Sequence, residues 1–193
     1  MKQVLAVCML IALSLAPLQY ARAASDVGLK SIGVDLGFVS PENVDGTVGF
    51  GAFADLGALS PKVRLSTHLG YWSKSEGDPI TQSEAKIRDV SLMTRARYNF
   101  PVASSKFQPY AGGGLGFHFL KATFSIPDFD LGGGFIIPGM EISDSSTKLG
   151  VDLGGGFVTP VGRSTDLYGD MWYGMVEDFS QLSMKVGLAW KLK

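Results

Sequence analysis

The chain of 193 residues carries 17 Lys and Arg against 18 Asp and Glu, with two His and a single Cys. That near-neutral balance excludes the basic footprint of a nucleic-acid binder, and one cysteine excludes a disulfide-stapled fold. Beyond residue 24 no uninterrupted apolar stretch is long enough for a helical membrane span.

The N-terminus reads as a secretory signal. Met1-Lys2 gives a positive start, Val4 to Ala16 is apolar apart from Ser14, and Ala21-Arg22-Ala23 supplies small residues for cleavage. Residues 1–23 are therefore expected to be a cleaved signal peptide, and residues 24–193 the exported domain. Cys8 lies inside the signal. Val7 before it, and the short apolar stretch ahead of it, argue against a lipid anchor. Without Lys2 and Arg22, 17 less 2 leaves 15 bases against 18 acids. An exported domain without cysteine is held by packing or by membrane insertion.

Glycine is abundant, at 25 residues, and recurs at every second position, as in Ala111-Gly112-Gly113-Gly114-Leu115-Gly116-Phe117. Such spacing cannot sustain helices, whereas alternation with period two is the strand signal. In chain order the alternating segments are 31–39, 47–56, 63–72, 88–99, 107–119, 148–157, 166–174 and 181–192. Each is close to the ~9–11 residues a tilted membrane strand needs, and the count is even, as single-chain bacterial barrels require. The connections 57–62, 101–106 and 158–165 are short, and each contains Pro. Those at 40–46, 73–87, 120–147 and 175–180 lie at the other end, and two of them are long. Short turns at one end and longer loops at the other are the membrane-barrel pattern, with the short turns periplasmic. The expected fold is an all-β, eight-stranded antiparallel transmembrane barrel. The string Asp130-Leu131-Gly132-Gly133-Gly134-Phe135 recurs at Asp152–Phe157. Chance is the preferred reading, and a local duplication giving ten strands is the alternative.

The two faces decide the solvent. One parity of the third segment is Val63, Leu65, Thr67, Leu69, Tyr71, and the other is Arg64, Ser66, His68, Gly70, Trp72. Across all eight segments the apolar parity carries no charge except Arg88 at the mouth of the fourth. A charge on the lipid face at the bilayer midplane costs roughly 2–4 kcal/mol, which accounts for the exclusion. The polar parity is largely glycine, a poor water-facing strand surface but a fitting filler for a narrow barrel. Aromatics on the apolar parity gather at strand ends. Tyr98, Phe100, Phe107, Phe157 and Trp190 fall toward the turns, and Phe38, Tyr71, Phe117, Phe119 and Tyr173 toward the loops. Two such belts match the headgroup regions.

Gln108-Pro109-Tyr110-Ala111-Gly112-Gly113-Gly114-Leu115-Gly116-Phe117 and the closing Met184-Lys185-Val186-Gly187-Leu188-Ala189-Trp190-Lys191-Leu192 resemble the OmpA/OmpX-like outer-membrane β-barrel superfamily, the porin-like barrel-domain proteins. The resemblance covers the exported chain as a pattern. It implies localisation in the bacterial outer membrane, surrounding lipids as partners, and insertion by the barrel-assembly machinery. Family members usually end on an aromatic residue. This chain ends Leu192-Lys193, which leaves Trp190 and Leu192 to supply the closing signal.

The inward parity holds Asp35, Asp55, Arg64, Asp89, Arg95, Arg97, Lys148, Asp152, Asp166, Asp170, Lys185 and Lys191. A charged constriction is one reading. A paired network that plugs the lumen is preferred, since buried charges must be paired. Lys185 lies between the strands of Asp35 and Asp170, Arg95 or Arg97 can reach across, and Asp55 faces Arg64 over a hairpin turn. His68 and His118 are isolated inward residues, so no metal site or cofactor is expected. Lipid A deacylases resemble this scaffold in size but carry a His-Ser pair on the outer surface. Both histidines here point inward, so no catalytic residue is assigned and no enzyme is expected. The longest loop is apolar, with Phe124, Ile126, Phe129, Leu131, Phe135, Ile136, Ile137 and Met140. Thr123–Pro127 and Phe135–Ile142 are expected to pair above the membrane, as a lid or as an edge for a surface or host protein. The expected role is structural or surface-interacting, with the chain a monomer. A narrow channel or a route for small apolar molecules is the alternative, and a lipid A-modifying enzyme is a third.

Overall fold

The computed structural model describes residues 26–78, 81–102, 106–130 and 136–192. The signal reading lies outside the described residues. Among the described residues ten strands form: β1 Asp26–Pro41, β2 Thr47–Ser60, β3 Val63–Gly77, β4 Glu84–Asn99, β5 Gln108–Ile126, β6 Phe129–Asp130, β7 Ile136–Ile137, β8 Met140–Pro160, β9 Thr165–Val176 and β10 Phe179–Lys191. Eight close into one antiparallel barrel in the order β1-β10-β9-β8-β5-β4-β3-β2, while β6 and β7 pair only with each other. The ten-stranded alternative is thereby corrected. β8 pairs with β5 directly over Gln108 to Ile126, which leaves no gap for an added strand.

The barrel is inside out relative to a water-soluble domain. Leu36 (57 %), Leu115 (60 %) and Leu153 (55 %) are exposed, whereas Asp89 (1 %), Asp152 (3 %) and Asp35 (6 %) are buried. In water the first set would be lost hydrophobic stabilisation, at roughly 25 cal/mol per Å² of apolar area. In a bilayer the same set is the solvent-matched surface.

The strands run well past the expected spans. The segment 120–147, expected as a loop, is largely ladder, since pairing continues from Phe119↔Thr147 to Ile126↔Met140. The expected pairing of Thr123–Pro127 with Phe135–Ile142 holds for Phe124 to Ile126, which face Ile142 to Met140. Thr123 faces Ser143, and Ile136–Ile137 pair instead with Phe129–Asp130 at the tip. Gly139 N donates to Asp128 Oδ1 at 2.6 Å, closing that tip. Leu131 and Phe135 lie outside the described residues. β3 and β4 likewise continue to Gly77↔Glu84. β3, β4, β5 and β8 thus project beyond the mouth as one wall, while β1, β2, β9 and β10 stop short.

At the other end β2 also outruns its expected limit. The stretch 57–62 was expected as a turn, but the strand continues to Ser60 through a bulge between Asp55 and Gly57. Gly57 has φ of 89°, a left-handed conformation suited to glycine. Asp55 Oδ1 accepts from Gly57 N at 2.8 Å and holds the bulge in place.

Candidate functional site: a filled lumen beneath a projecting wall

Mid-barrel, β1 supplies Asp35, β3 His68, β9 Tyr168 and β10 Lys185. Tyr168 donates its hydroxyl to Asp35 Oδ2 at 2.8 Å. His68 Nε2 lies 2.8 Å from the same oxygen and 3.3 Å from Lys185 Nζ. Lys185 Nζ sits 3.7 Å from Asp35 Oδ1. Asp170 is the direct cross-strand neighbour of Lys185 but accepts from Tyr110 at 3.2 Å. Among the described residues no ion pair joins Asp170 to Lys185.

One layer away, Arg95 on β4 grips Asp152 on β8 through Nε at 2.9 Å and Nη2 at 2.5 Å. Its guanidinium lies 4.3 Å from the Trp172 ring centroid. Near the turn end, Asp55 accepts from Arg64 at 2.9 and 3.1 Å and from Arg97 at 2.9 Å. Arg97 also covers the Tyr110 ring at 5.0 Å. Near the loop end His118 Nδ1 lies 2.7 Å from Asp89 Oδ2, both almost fully buried.

Glycine is what lets these partners meet. Arg95, Gly114 and Asp152 occupy one row on three adjacent strands. So do Asp35, Gly187 and Tyr168, and so do Tyr110, Gly156 and Asp170. In each row the outer two side chains join over the middle one. A Cβ on Gly114 would lie 2.6 Å from Arg95 Cγ, and one on Gly187 2.6 Å from the Tyr168 hydroxyl. The histidine–aspartate pairs escaped the sequence reading because parity gives a face and no register. The signal that could have found them is a row-by-row count across three strands.

Two of the inward charges lie elsewhere. Lys148 reaches the β9–β10 turn, with Glu177 at 3.7 Å and Asp178 closer still. This corrects its place in the lumen network, because it sits where β8 is already leaving the barrel. Lys191 pairs with Asp166 at 2.8 Å at the turn-end mouth. Met93, Arg95, His118, Asp152, Trp172 and Lys185 help line a lumen cavity of about 20 Å³, about the room one water occupies. Trp72 Nε1 donates to Gln181 Oε1 at 3.1 Å across its loop-end side.

On the outer surface Tyr98 and Phe100 meet edge to face at 5.3 Å, and Phe107 stacks on Phe157 at 5.2 Å, all toward the turns. Toward the loops Tyr71 lies 5.0 Å from Phe50, a residue the belt reading omitted. Phe38, Tyr173 and Trp190 are exposed on the same outer face, and Phe117 and Phe119 are half-buried among their neighbours.

Above the belt the wall reverses its polarity. The face continuous with the lumen carries Ala85, Ile87, Ala122, Phe124, Ile126, Met140 and Ile142, with Lys74, Glu76 and Asp144 on its β3 and β8 sides, while the outer face carries Ser73, Lys86, Arg88, Lys121, Thr123 and Ser143. Phe124, Ile126, Met140 and Ile142 are exposed, as are Ile136 and Ile137 at the tip.

The outer membrane protein beta-barrel domain model matches residues 5–191. Among solved structures, Neisserial surface protein A is similar at 18% identity and a TM-score of 0.58, over 84% of this chain and 96% of that one. Ail, the attachment invasion locus protein of Yersinia pestis, solved with the heparin analogue sucrose octasulfate, is similar at 13% identity and a TM-score of 0.55, covering 85% and 97%. A major outer membrane protein from Thermus thermophilus is similar at 13% identity and a TM-score of 0.59, covering 84% and 99%. At these identities the likeness is one of fold. No curated protein matches the chain.

Proposed function

The chain belongs to the outer membrane protein β-barrel domain family, and we propose that in the bacterial outer membrane it acts as a surface-interaction protein with a non-conducting lumen. The observation that carries this reading is the wall. It holds Phe124, Ile126, Met140 and Ile142 exposed beyond the membrane, where water-facing strands seldom keep contiguous apolar surface without a partner. The lumen beneath is occupied by paired charges around a cavity of about 20 Å³, which favours a scaffold over a channel. The structurally similar Ail, whose name is attachment invasion locus protein, supports a surface-contact role by analogy of fold.

Two measurements test this. Purified barrel in a planar bilayer should show no steady conductance, and a large sustained current would return the channel reading. Bacteria displaying the chain should adhere to a matrix-protein-coated surface more than a vector control. A Phe124→Ser/Ile142→Ser variant at equal surface level should lose that gain. Equal adherence of the two strains would remove the wall from the role.

A further inference from the structure

The outer face of the wall reads, row by row, as a passage from oil to water. The register sets Leu69, Leu92, Phe117 and Leu149 in one row across β3, β4, β5 and β8. The next row outward is Tyr71, Val90, Phe119 and Thr147, and the next is Ser73, Arg88, Lys121 and Ser145. Beyond it stand Ser75, Lys86, Thr123 and Ser143, and only in the last row do acids enter, as Glu84 and Glu141. Same-face steps along a strand rise about 7 Å. Arg88 and Lys121 are therefore one step beyond the apolar belt, at headgroup depth.

Three features make these bases unlike ordinary surface charge. Arg88 and Lys121 are direct cross-strand partners, an arrangement that is destabilising for like charges. Among the described residues no ion pair joins Lys86, Arg88 or Lys121 to an acid. The shorter wall carries Phe38, Val48, Met175 and Leu182 near the loop ends of its outer face, and its connections carry the acids Glu42, Asp45, Glu177 and Asp178. The basic charge is thus concentrated on one side, against the bilayer, and flanked by hydroxyls.

We propose that Lys86, Arg88 and Lys121, with the hydroxyls of Ser73, Ser75, Thr123 and Ser145, bind the phosphate groups of an outer-leaflet lipid headgroup. An Arg fork and two Lys point charges suit a phosphate monoester, and the hydroxyls can donate to its remaining oxygens. The acyl chains of the same lipid would lie on Val90, Phe119, Leu92 and Phe117 directly below. An anion seated there relieves the repulsion between Arg88 and Lys121. The site is on the outward face, so it is independent of the lumen and of the apolar face proposed for surface contact.

The test uses the barrel in phosphatidylcholine nanodiscs doped with bisphosphorylated lipid A, with retained lipid counted by native mass spectrometry. Wild type should retain at least tenfold more lipid A than Lys86→Ser/Arg88→Ser/Lys121→Ser. Dephosphorylated lipid A should bind wild type no better than lipid A binds that variant. The charge-keeping Arg88→Lys should retain most of the binding, and single neutralisations should lose it in steps if the triple variant does not fold. Equal retention by wild type and the neutralised variants would overturn the site. Equal binding of dephosphorylated lipid would overturn the phosphate assignment. Displacement by an equal concentration of inorganic phosphate would assign the cluster to free anions instead.

Discussion

Below Phe119 the tall wall is apolar outside and polar inside, and above it β4 and β5 turn polar outside and apolar inside, while β3 and β8 keep Lys74, Glu76 and Asp144 on the inner face beside Met140 and Ile142. Leu115, Phe117 and Phe119 give way on the outer face to Lys121, Thr123 and Ser125, while inward Gly116 and His118 give way to Ala122, Phe124 and Ile126. Backbone pairing runs through the change without a break. The strand is thus indifferent to where it sits, and the surrounding medium selects which face is greasy. Within the bilayer the outside must match lipid and the inside must pair its charges. Beyond it the outside must match water and headgroups.

The comparison is broken most severely by unpairing a lumen charge. Arg95→Met leaves Asp152 buried without its guanidinium, and stability should fall by about 3–5 kcal/mol, read from urea unfolding by heat-modifiable gel mobility. Arg95→Met/Asp152→Leu should recover most of that loss, because it removes the stranded charge. Lys185→Met should fall at the lower end of the same range, since Asp35 keeps Tyr168 and His68. A loss under about 1 kcal/mol in Arg95→Met would mean that water reaches the lumen freely.

A milder break places the same charge on the same outer face at two heights. Leu115→Arg, in the span, should cost about 2–4 kcal/mol. Ser125→Arg, on the wall, should change stability by no more than about 0.5 kcal/mol. Equal costs would put the upper rows inside the membrane. A Gly187→Val change, which would crowd the Tyr168 hydroxyl and the Val34 carbonyl, should cost about 1–3 kcal/mol by overpacking. The smallest effect is expected from deleting Asp128–Gly134. Insertion and unfolding should match wild type, since the membrane strands do not depend on an external tip. Failure of assembly in that deletion would tie the wall to barrel folding.

Much of the barrel was legible in residue order. Period-two alternation, an even number of segments and Pro-marked turns were enough for eight antiparallel strands. Parity alone put Asp35, Arg95 and Asp152 inside and Leu36, Leu115 and Leu153 outside. The ends of the strands were less legible. Segments 73–77, 84–87, 120–126 and 140–147 break the spanning polarity pattern, and a reading tuned to one solvent takes the reversal for a loop. The longest loop reads as apolar and strand-like, and the pairing of 124–126 with 140–142 was legible; Ile136 and Ile137 pair instead with Phe129 and Asp130, a tip hairpin that alternation alone does not separate from the main ladder. Arg88 stood out as the one charge on the apolar parity, but its pairing with Lys121 needs the β4–β5 register.

The sequence by itself determined the class of fold, the closed antiparallel order and the side of the sheet each residue occupies, because alternation is a local property that a two-solvent surface writes into every strand. The tertiary structure alone decided which charges meet. Arg95 finds Asp152, Tyr168 finds Asp35 and Tyr110 finds Asp170 across a third strand, over Gly114, Gly187 and Gly156. Those encounters depend on stagger between strands up to 133 residues apart, and on a lumen narrow enough for side chains from non-neighbouring strands to touch.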